Sequence, residues 1–256
     1  MTGELDGRAV IVTGASRGIG RALAVGLAAR GAAVVCAART VTEEPGSLPG
    51  TIHATAAEIA RAGGHALAIR CDVAREDDLN ALVARTMERF GRVDVLVNNA
   101  MAPTRCRFDD MAPDMWDVSM ATNVRSLFVL AKLVVPHMAA QGGGSIVNIS
   151  SGGADHAATA AMPPGFLAYA VAKAAMERFT TALAPEVAAR GIAVNALRPG
   201  AVRTELATRQ LGEGYDWTGW TSPEAVVPSV AWLAARIGTA YTGHIVDVSG
   251  FGTTWP

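Results

Sequence analysis

The chain has few of the residues that make disulfides, metal sites or a charged arm. Its three cysteines, Cys36, Cys71 and Cys106, are odd in number and share no metal-ligand spacing. Cys36 and Cys71 fall in apolar, strand-like runs, where a cysteine usually serves as a small core residue. The five histidines (His53, His65, His137, His156 and His244) are scattered, with no pair at helical ligand spacing, so no metal site is signalled. Charge is sparse and balanced. Lys and Arg number 22 against 23 Asp and Glu, for a formal net charge of −1, and no like charges run together. Such a balance gives no general attraction to nucleic acid or to an anionic membrane. No apolar stretch is counted as long enough to span a bilayer. The opening "MTGELDGR" lacks the basic and apolar regions of a signal peptide. A soluble, cytoplasmic protein is the expectation.

What the chain does have is apolar mass. Of its 256 residues, 50% are hydrophobic, enough to bury a large core. The apolar residues gather in short runs: "RAVIVTG" (8–14), "AAVVCAA" (32–38), "HALAIRCDV" (65–73), "VDVLVNNA" (93–100), "GSIVNISS" (144–151), "IAVNALRPG" (192–200) and "HIVDVSG" (244–250). These are continuous rather than alternating, as in strands covered on both faces. Between them lie helical patterns at 18–30, 51–63, 75–90, 114–140, 166–190 and 223–236. Strand–helix alternation of this kind predicts right-handed βαβ crossovers and an open parallel sheet. No repeat or linker divides the chain, which predicts one domain over residues 1–256. Two segments break the rhythm. Residues 40–50, "TVTEEPGSLPG", form a polar insertion, and residues 201–222 form a long excursion carrying Leu206, Leu211, Tyr215, Trp217 and Trp220. Long loops inside a compact domain are often functional, so the second reads either as a lid over an apolar ligand or as a subunit contact.

The first strand runs straight into "TGASRGIG", where Gly14, Gly18 and Gly20 punctuate a strand-to-helix turn. Side chains on such glycines would keep the backbone and the helix amides away from a pyrophosphate. The spacing G-x-x-x-G-x-G is looser than the dinucleotide fingerprint and does not settle the matter alone. An acidic residue at the end of the second strand would bind the ribose 2′-hydroxyl of NAD. Here that strand ends in Ala38 and Arg39, and Arg17 belongs to the glycine turn. Two guanidiniums there would favour the 2′-phosphate of NADP over NAD; the alternative is that one or both are solvated surface groups. Further along, Tyr169 and Lys173 lie four residues apart on one helix face. A nearby ammonium favours a phenolate, and a tyrosine so tuned can exchange a proton with a carbonyl or alcohol oxygen. The plainer reading is a buried tyrosine near a surface lysine.

Eight motifs then occur in a familiar order: "TGASRGIG" (13–20), "DV" (72–73), "NNA" (98–100), Asn123, "SIVNISS" (145–151), "YAVAK" (169–173), "RPGAVRT" (198–204) and "YTGHIVDVSG" (241–250). With them the chain resembles a short-chain dehydrogenase/reductase over nearly its whole length. The resemblance implies a three-layer α/β/α Rossmann fold with a seven-stranded parallel sheet, and hydride transfer between a nicotinamide and an alcohol or carbonyl carbon. It implies a catalytic set of Asn123, Ser151, Tyr169 and Lys173, with Ser150 as the runner-up to Ser151. Lys173 would also hold the nicotinamide ribose. Cofactor contacts are implied for Gly14, Ser16, Arg17, Gly18, Ile19 and Gly20, and for Arg39. Asp72 and Val73 match the adenine contact, Asn99 and Ala100 the stretch beside the ribose, and Pro199, Gly200, Val202 and Thr204 the loop flanking the nicotinamide. A homotetramer or dimer through 114–140 and 166–190 is also implied.

The sequence departs from that pattern in two places. Met101 stands where the family has a glycine, and Ser151 and Tyr169 are 18 positions apart, a wide separation that leaves a loop with His156 and Met162 beside the substrate. The 42–59 region, "TEEPGSLPGTIHATAAEI", resembles the hydroxysteroid dehydrogenase-like and bacterial terpenoid-alcohol branch, pointing to an apolar, lipid-like or terpenoid substrate. The expectation is an NADP(H)-dependent oxidoreductase interconverting an alcohol and a ketone or aldehyde. The competing expectation is a non-catalytic dinucleotide-binding scaffold or redox sensor, which would have little use for a poised phenol and amine on an apolar helix.

Overall fold

The computed structural model describes residues 3–157, 164–212 and 214–256. Seven strands form one sheet: β1 (Ala9–Thr13), β2 (Ala33–Ala38), β3 (His65–Arg70), β4 (Val95–Asn98), β5 (Gly144–Ile149), β6 (Ile192–Arg198) and β7 (Ile245–Asp247). Their spatial order is β3-β2-β1-β4-β5-β6-β7, and every neighbouring pair is parallel. The order reverses between β1 and β4, which opens a crevice beyond the carboxyl ends of those strands.

The unbroken apolar runs are explained by a sheet buried on both sides. Val10 and Val12 of β1 point into one core, and Ile11 points into the other. Helices α1 (Gly18–Ala28), α2 (Ile52–Arg61) and α8 (Val227–Ala235) cover the first face. Helices α3 (Glu76–Phe90), α5 (Ser126–Ala140) and α6 (Leu167–Val187) cover the second. This is the three-layer arrangement expected. Cys36 and Cys71 are buried thiols, each pushed up to about 12 by burial, as suits small core residues.

Helix α4 (Pro113–Met120) runs into α5 through a π-helical turn at Ala121–Arg125. The turn has a local cause: the Asn123 amide donates to the Ser119 carbonyl four residues back, at 3.0 Å. Taken through this turn, Pro113–Ala140 is long and apolar enough to cross a membrane by length and composition, with half of its most apolar window buried in the fold. That corrects the count made on the sequence, which found no such stretch.

The excursion at 201–222 has structure of its own. It closes on itself, with Arg203 N donating to Thr221 O and Thr221 N to Ala201 O, both at 2.9 Å. It contains a short helix, α7 (Glu205–Leu211), whose first turn is capped by the Thr204 hydroxyl accepting from Ala207 N. Tyr215, Trp217 and Trp220 pack edge to face, with centroids 5.0–5.7 Å apart, and the Arg203 guanidinium lies 4.8 Å over Trp217. These aromatics satisfy one another rather than roofing the crevice. The C-terminal tail folds onto its own chain, where the Trp255 indole donates to Asp247 O at 2.8 Å among Trp232, Tyr241 and Phe251.

Candidate active site

The crevice begins where β1 hands over to α1. The Thr13 hydroxyl accepts the amides of Asn99 and Ala100, each at 3.0 Å, and the Asn99 side chain donates to Thr13 O at 2.9 Å. These bonds tie the end of β1 to the end of β4. Gly14 and Gly18 adopt φ of 70° and 54°, in the left-handed region that favours glycine. A methyl on Gly20 would collide with the Gly14 carbonyl and the Asn99 amide, and one on Gly14 would come within 2.9 Å of Ala100 Cα. The N-terminus of α1 has no side-chain cap and no acidic residue in its first turn. Its free amides and positive dipole end therefore remain available to an anion. These features fit the diphosphate of a dinucleotide.

The crevice continues past the ends of β2 and β3. Arg39, Asp72 and Val73 line it. One Asp72 oxygen accepts from Ala74 N at 3.1 Å, which fixes the carboxylate at the rim. Arg17 also lines the crevice, and the 40–50 insertion holds one side of its guanidinium: Nε donates to Pro49 O at 2.9 Å, and Nη2 to Gly50 O at 3.0 Å and Leu48 O at 3.1 Å. Arg39 is exposed and makes no ion pair among the described residues. Arg209 of α7 donates to Gly46 O at 3.2 Å, so the insertion and the excursion meet over the same crevice.

At the far end stand the groups expected to do chemistry, around a cleft of about 380 Å³. Tyr169 and Lys173 both line it from α6. Lys173 is 2% exposed, donates to Ile149 O at 2.7 Å, and lies 5.8 Å from the Tyr169 ring centroid. Burial pulls it down to about 8, opposed by the charge of Glu177 one turn along the helix. The phenol does not follow the simple expectation of a lowered value. Burial raises the Tyr169 pKa, with the neighbouring Ser151 hydroxyl working against that rise.

The two serines separate by direction. Ser150 is buried and donates its hydroxyl to Glu177 Oε1 at 2.7 Å, whereas the Ser151 hydroxyl accepts from Gly153 N at 3.2 Å and stands beside the phenol. Asn123 is fully buried behind the cleft. Its side chain bridges the helix turn to Ala102, accepting from Ala102 N at 3.1 Å and donating to Ala102 O at 3.2 Å.

Of the residues singled out by sequence, Gly14, Ser16, Gly18, Ile19, Gly20, Asn99, Ala100, Pro199 and Thr204 line the crevice with those already described. Asn123, Ser151, Gly200 and Val202 do not, whereas Ser150, the runner-up serine, does; Val202 is 6% exposed and belongs to the core cluster of Leu197 and Val226. Met101, Pro103 and Leu206 add apolar surface to its lining. His156 is exposed, and Met162 lies outside the described residues. Sequence reasoning missed Thr13, Glu177 and Arg198. Glu177 had a signal: it continues the i, i+4 row of Tyr169 and Lys173 on an otherwise apolar face.

Comparison with known proteins agrees with this geometry. The family model of the short chain dehydrogenases matches residues 8–213. A 3-oxoacyl-[acyl-carrier-protein] reductase of Synechocystis sp. is 35% identical over 251 residues, covering 96% of this chain and 97% of that protein. Hydroxysteroid dehydrogenase-like protein 2 of Danio rerio is 35% identical over 255 residues, covering 96% of this chain but 58% of that protein. Among solved structures, a 7 alpha-hydroxysteroid dehydrogenase complexed with NADH and 7-oxo glycochenodeoxycholic acid superposes with a TM-score of 0.83 at 30% identity, over 97% of this chain and 95% of that one. The chain belongs to the short-chain dehydrogenase family, whose members are oxidoreductases of CH–OH groups that use a nicotinamide dinucleotide.

Proposed function

We propose that this single-domain chain is an NADP(H)-dependent enzyme interconverting an apolar ketone or aldehyde with its alcohol, and that Ser151, Tyr169 and Lys173 carry the proton chemistry. One observation carries the reading: the Tyr169 phenol and the buried Lys173 ammonium line the same crevice as the glycine turn, with the Ser151 hydroxyl beside the phenol. A bound nicotinamide would supply or accept the hydride. Tyr169, its pKa held up by burial, keeps its proton at neutral pH, the form that donates to a carbonyl oxygen. The Ser151 hydroxyl is placed to hydrogen-bond that same oxygen as charge develops on it. Lys173, charged below about 8, stabilises the phenolate once the proton has left. Asn123 fixes the backbone behind them.

NADP is favoured over NAD because the end of β2 offers the exposed Arg39 and no carboxylate. The apolar substrate class is supported by Met101, Pro103 and Leu206 in the lining of the cleft. A dimer or tetramer through the outer faces of α4, α5 and α6 is supported by the exposure there of Val118, Phe128, Leu167 and Val171. The test is NADPH and NADH oxidation against a panel of hydrophobic and small polar ketones, hydroxysteroid-like ketones included. Faster turnover with NADPH and a hydrophobic ketone is expected. Equal use of both cofactors, or turnover confined to small polar carbonyls, overturns the corresponding part.

A further inference from the structure

Behind the chemical groups lies a second set of charges, built around a buried carboxylate. Glu177 sits on α6 one turn beyond Lys173 and two beyond Tyr169, with 6% of its surface exposed. An ionised carboxylate so deep must be paired and hydrogen-bonded to be tolerated. Arg198, at the end of β6, grips it from both sides, Nε to Oε1 at 2.7 Å and Nη2 to Oε2 at 2.8 Å. The same Oε1 accepts the Ser150 hydroxyl at 2.7 Å, and Ser150 N donates to Leu197 O at 2.7 Å. Ser150 is thereby held at its amide by β6 and at its side chain by α6. The next residue is Ser151, so the direction of its hydroxyl is inherited from this anchorage.

We propose, building on the functional reading above, that Glu177 is a positioning residue of the site: clamped by Arg198, its buried carboxylate anchors Ser150, and with it Ser151, and serves as the counter-charge of Lys173. A carboxylate needed only to bury Arg198 would have no reason to accept from the serine adjoining Ser151. Nor would it need to share a helix face with the one buried lysine among the described residues. The charged and titratable groups facing Glu177 are few. Lys173 and Tyr169 lie on its own helix and Arg198 on β6; Asp155 stands 3.6 Å from Arg198, and Asp247 at the end of β7 acts on Arg198 through space. Asp155 is nearly half exposed and lies against the outer side of Arg198, so neither it nor Asp247 replaces Glu177 beside Lys173.

The test uses the full-length protein, with Glu177→Gln removing the charge while keeping the shape, and Glu177→Asp keeping the charge. Lys173 is titrated directly by carbon-13 NMR of its ε-methylene without any cofactor, an experiment that stands even if no ketone is turned over. Glu177→Gln is expected to lower the Lys173 midpoint by about half a pH unit or more, as loss of an opposite charge one helical turn away does. The alkaline limb of kcat should move by the same amount, with Glu177→Asp restoring both. An unmoved midpoint in a folded Glu177→Gln protein, or Glu177→Asp behaving like Glu177→Gln, overturns the counter-charge role. The anchoring role is read separately from Ser150→Ala, which keeps every charge. It should lower kcat about threefold to tenfold, the worth of one hydrogen bond, at unchanged KM for NADPH. Unchanged kcat overturns that role, and this variant remains decisive if Glu177→Gln does not fold. Wild-type protein that turns over no carbonyl would sink the functional proposal while leaving the measured Lys173–Glu177 coupling in place.

Discussion

Replacing Lys173 by methionine should change how stability depends on pH more than it changes stability itself. Lys173 is 2% exposed, and burial is the main cause that lowers it from 10.5 to about 8. In the unfolded chain it returns to its ordinary value. Between about pH 8 and 10.5 the unfolded chain holds a proton that the folded chain has released, so stability rises with pH through that window. Below the folded value both states are protonated, and the native state bears the whole cost of burying the charge. The gap is about 2.5 pH units, which at roughly 1.36 kcal/mol per unit makes that cost about 3 kcal/mol at neutral pH. Methionine removes this cost. It also leaves Ile149 O without its donor, a loss of about 1–3 kcal/mol that is the same at every pH. The two variants should therefore be close in stability at pH 7, and the wild type should gain on Lys173→Met by about 2.5 kcal/mol as the pH is raised to 10. Cys36, Cys71 and Tyr169 also have raised values, but they are present in both proteins and cancel in the difference. Urea unfolding followed by tryptophan fluorescence at pH 7, 8, 9 and 10 measures it, provided the m-values agree. A stability difference constant across that range would refute the buried, downshifted lysine.

Further outcomes follow from the cofactor end. Arg39→Ala should weaken NADPH binding about tenfold to a hundredfold, the loss of a charge-assisted contact, and leave NADH nearly unchanged. Arg17→Ala, which releases the carbonyls of Leu48, Pro49 and Gly50, should weaken both cofactors alike. Fluorescence titration of the two nucleotides separates these cases, and a selective loss of NADPH binding in Arg17→Ala would assign 2′-phosphate recognition to the wrong residue here. Gly20→Val forces a side chain into the Gly14 carbonyl and the Asn99 amide, so it should abolish nucleotide binding and lower the melting temperature. Retained binding would mean that the turn is looser than described.

Much of this architecture was legible in the sequence, because burial on both faces makes parallel strands read as unbroken apolar runs. The runs containing Val10–Val12 and Val34–Cys36 became neighbouring strands, as their pattern indicated. The glycine turn and the Tyr169–Lys173 face were legible for a related reason: each depends on local spacing. What was hidden depends on partners distant in the chain. The hold on Arg17 was hidden because its acceptors are backbone carbonyls of residues 48–50, which leave no trace in side-chain identity. The Glu177–Arg198 clamp joins a helix to a strand 21 positions away. Tyr215, Trp217 and Trp220 read either as a lid or as a subunit contact, since sequence cannot say that three aromatics will choose one another. Tyr169 itself taught a finer lesson: proximity to an ammonium was visible, whereas the burial that outweighs it was not.

The account depends most on the Tyr169 hydroxyl as the group that passes the proton. Tyr169→Phe removes that oxygen and leaves the ring, the helix and the cofactor crevice in place. With the best ketone of the panel, kcat should fall by about a hundredfold or more, while NADPH affinity, read by fluorescence titration, stays within about threefold of wild type. Turnover within tenfold of wild type, at intact NADPH binding, would contradict it.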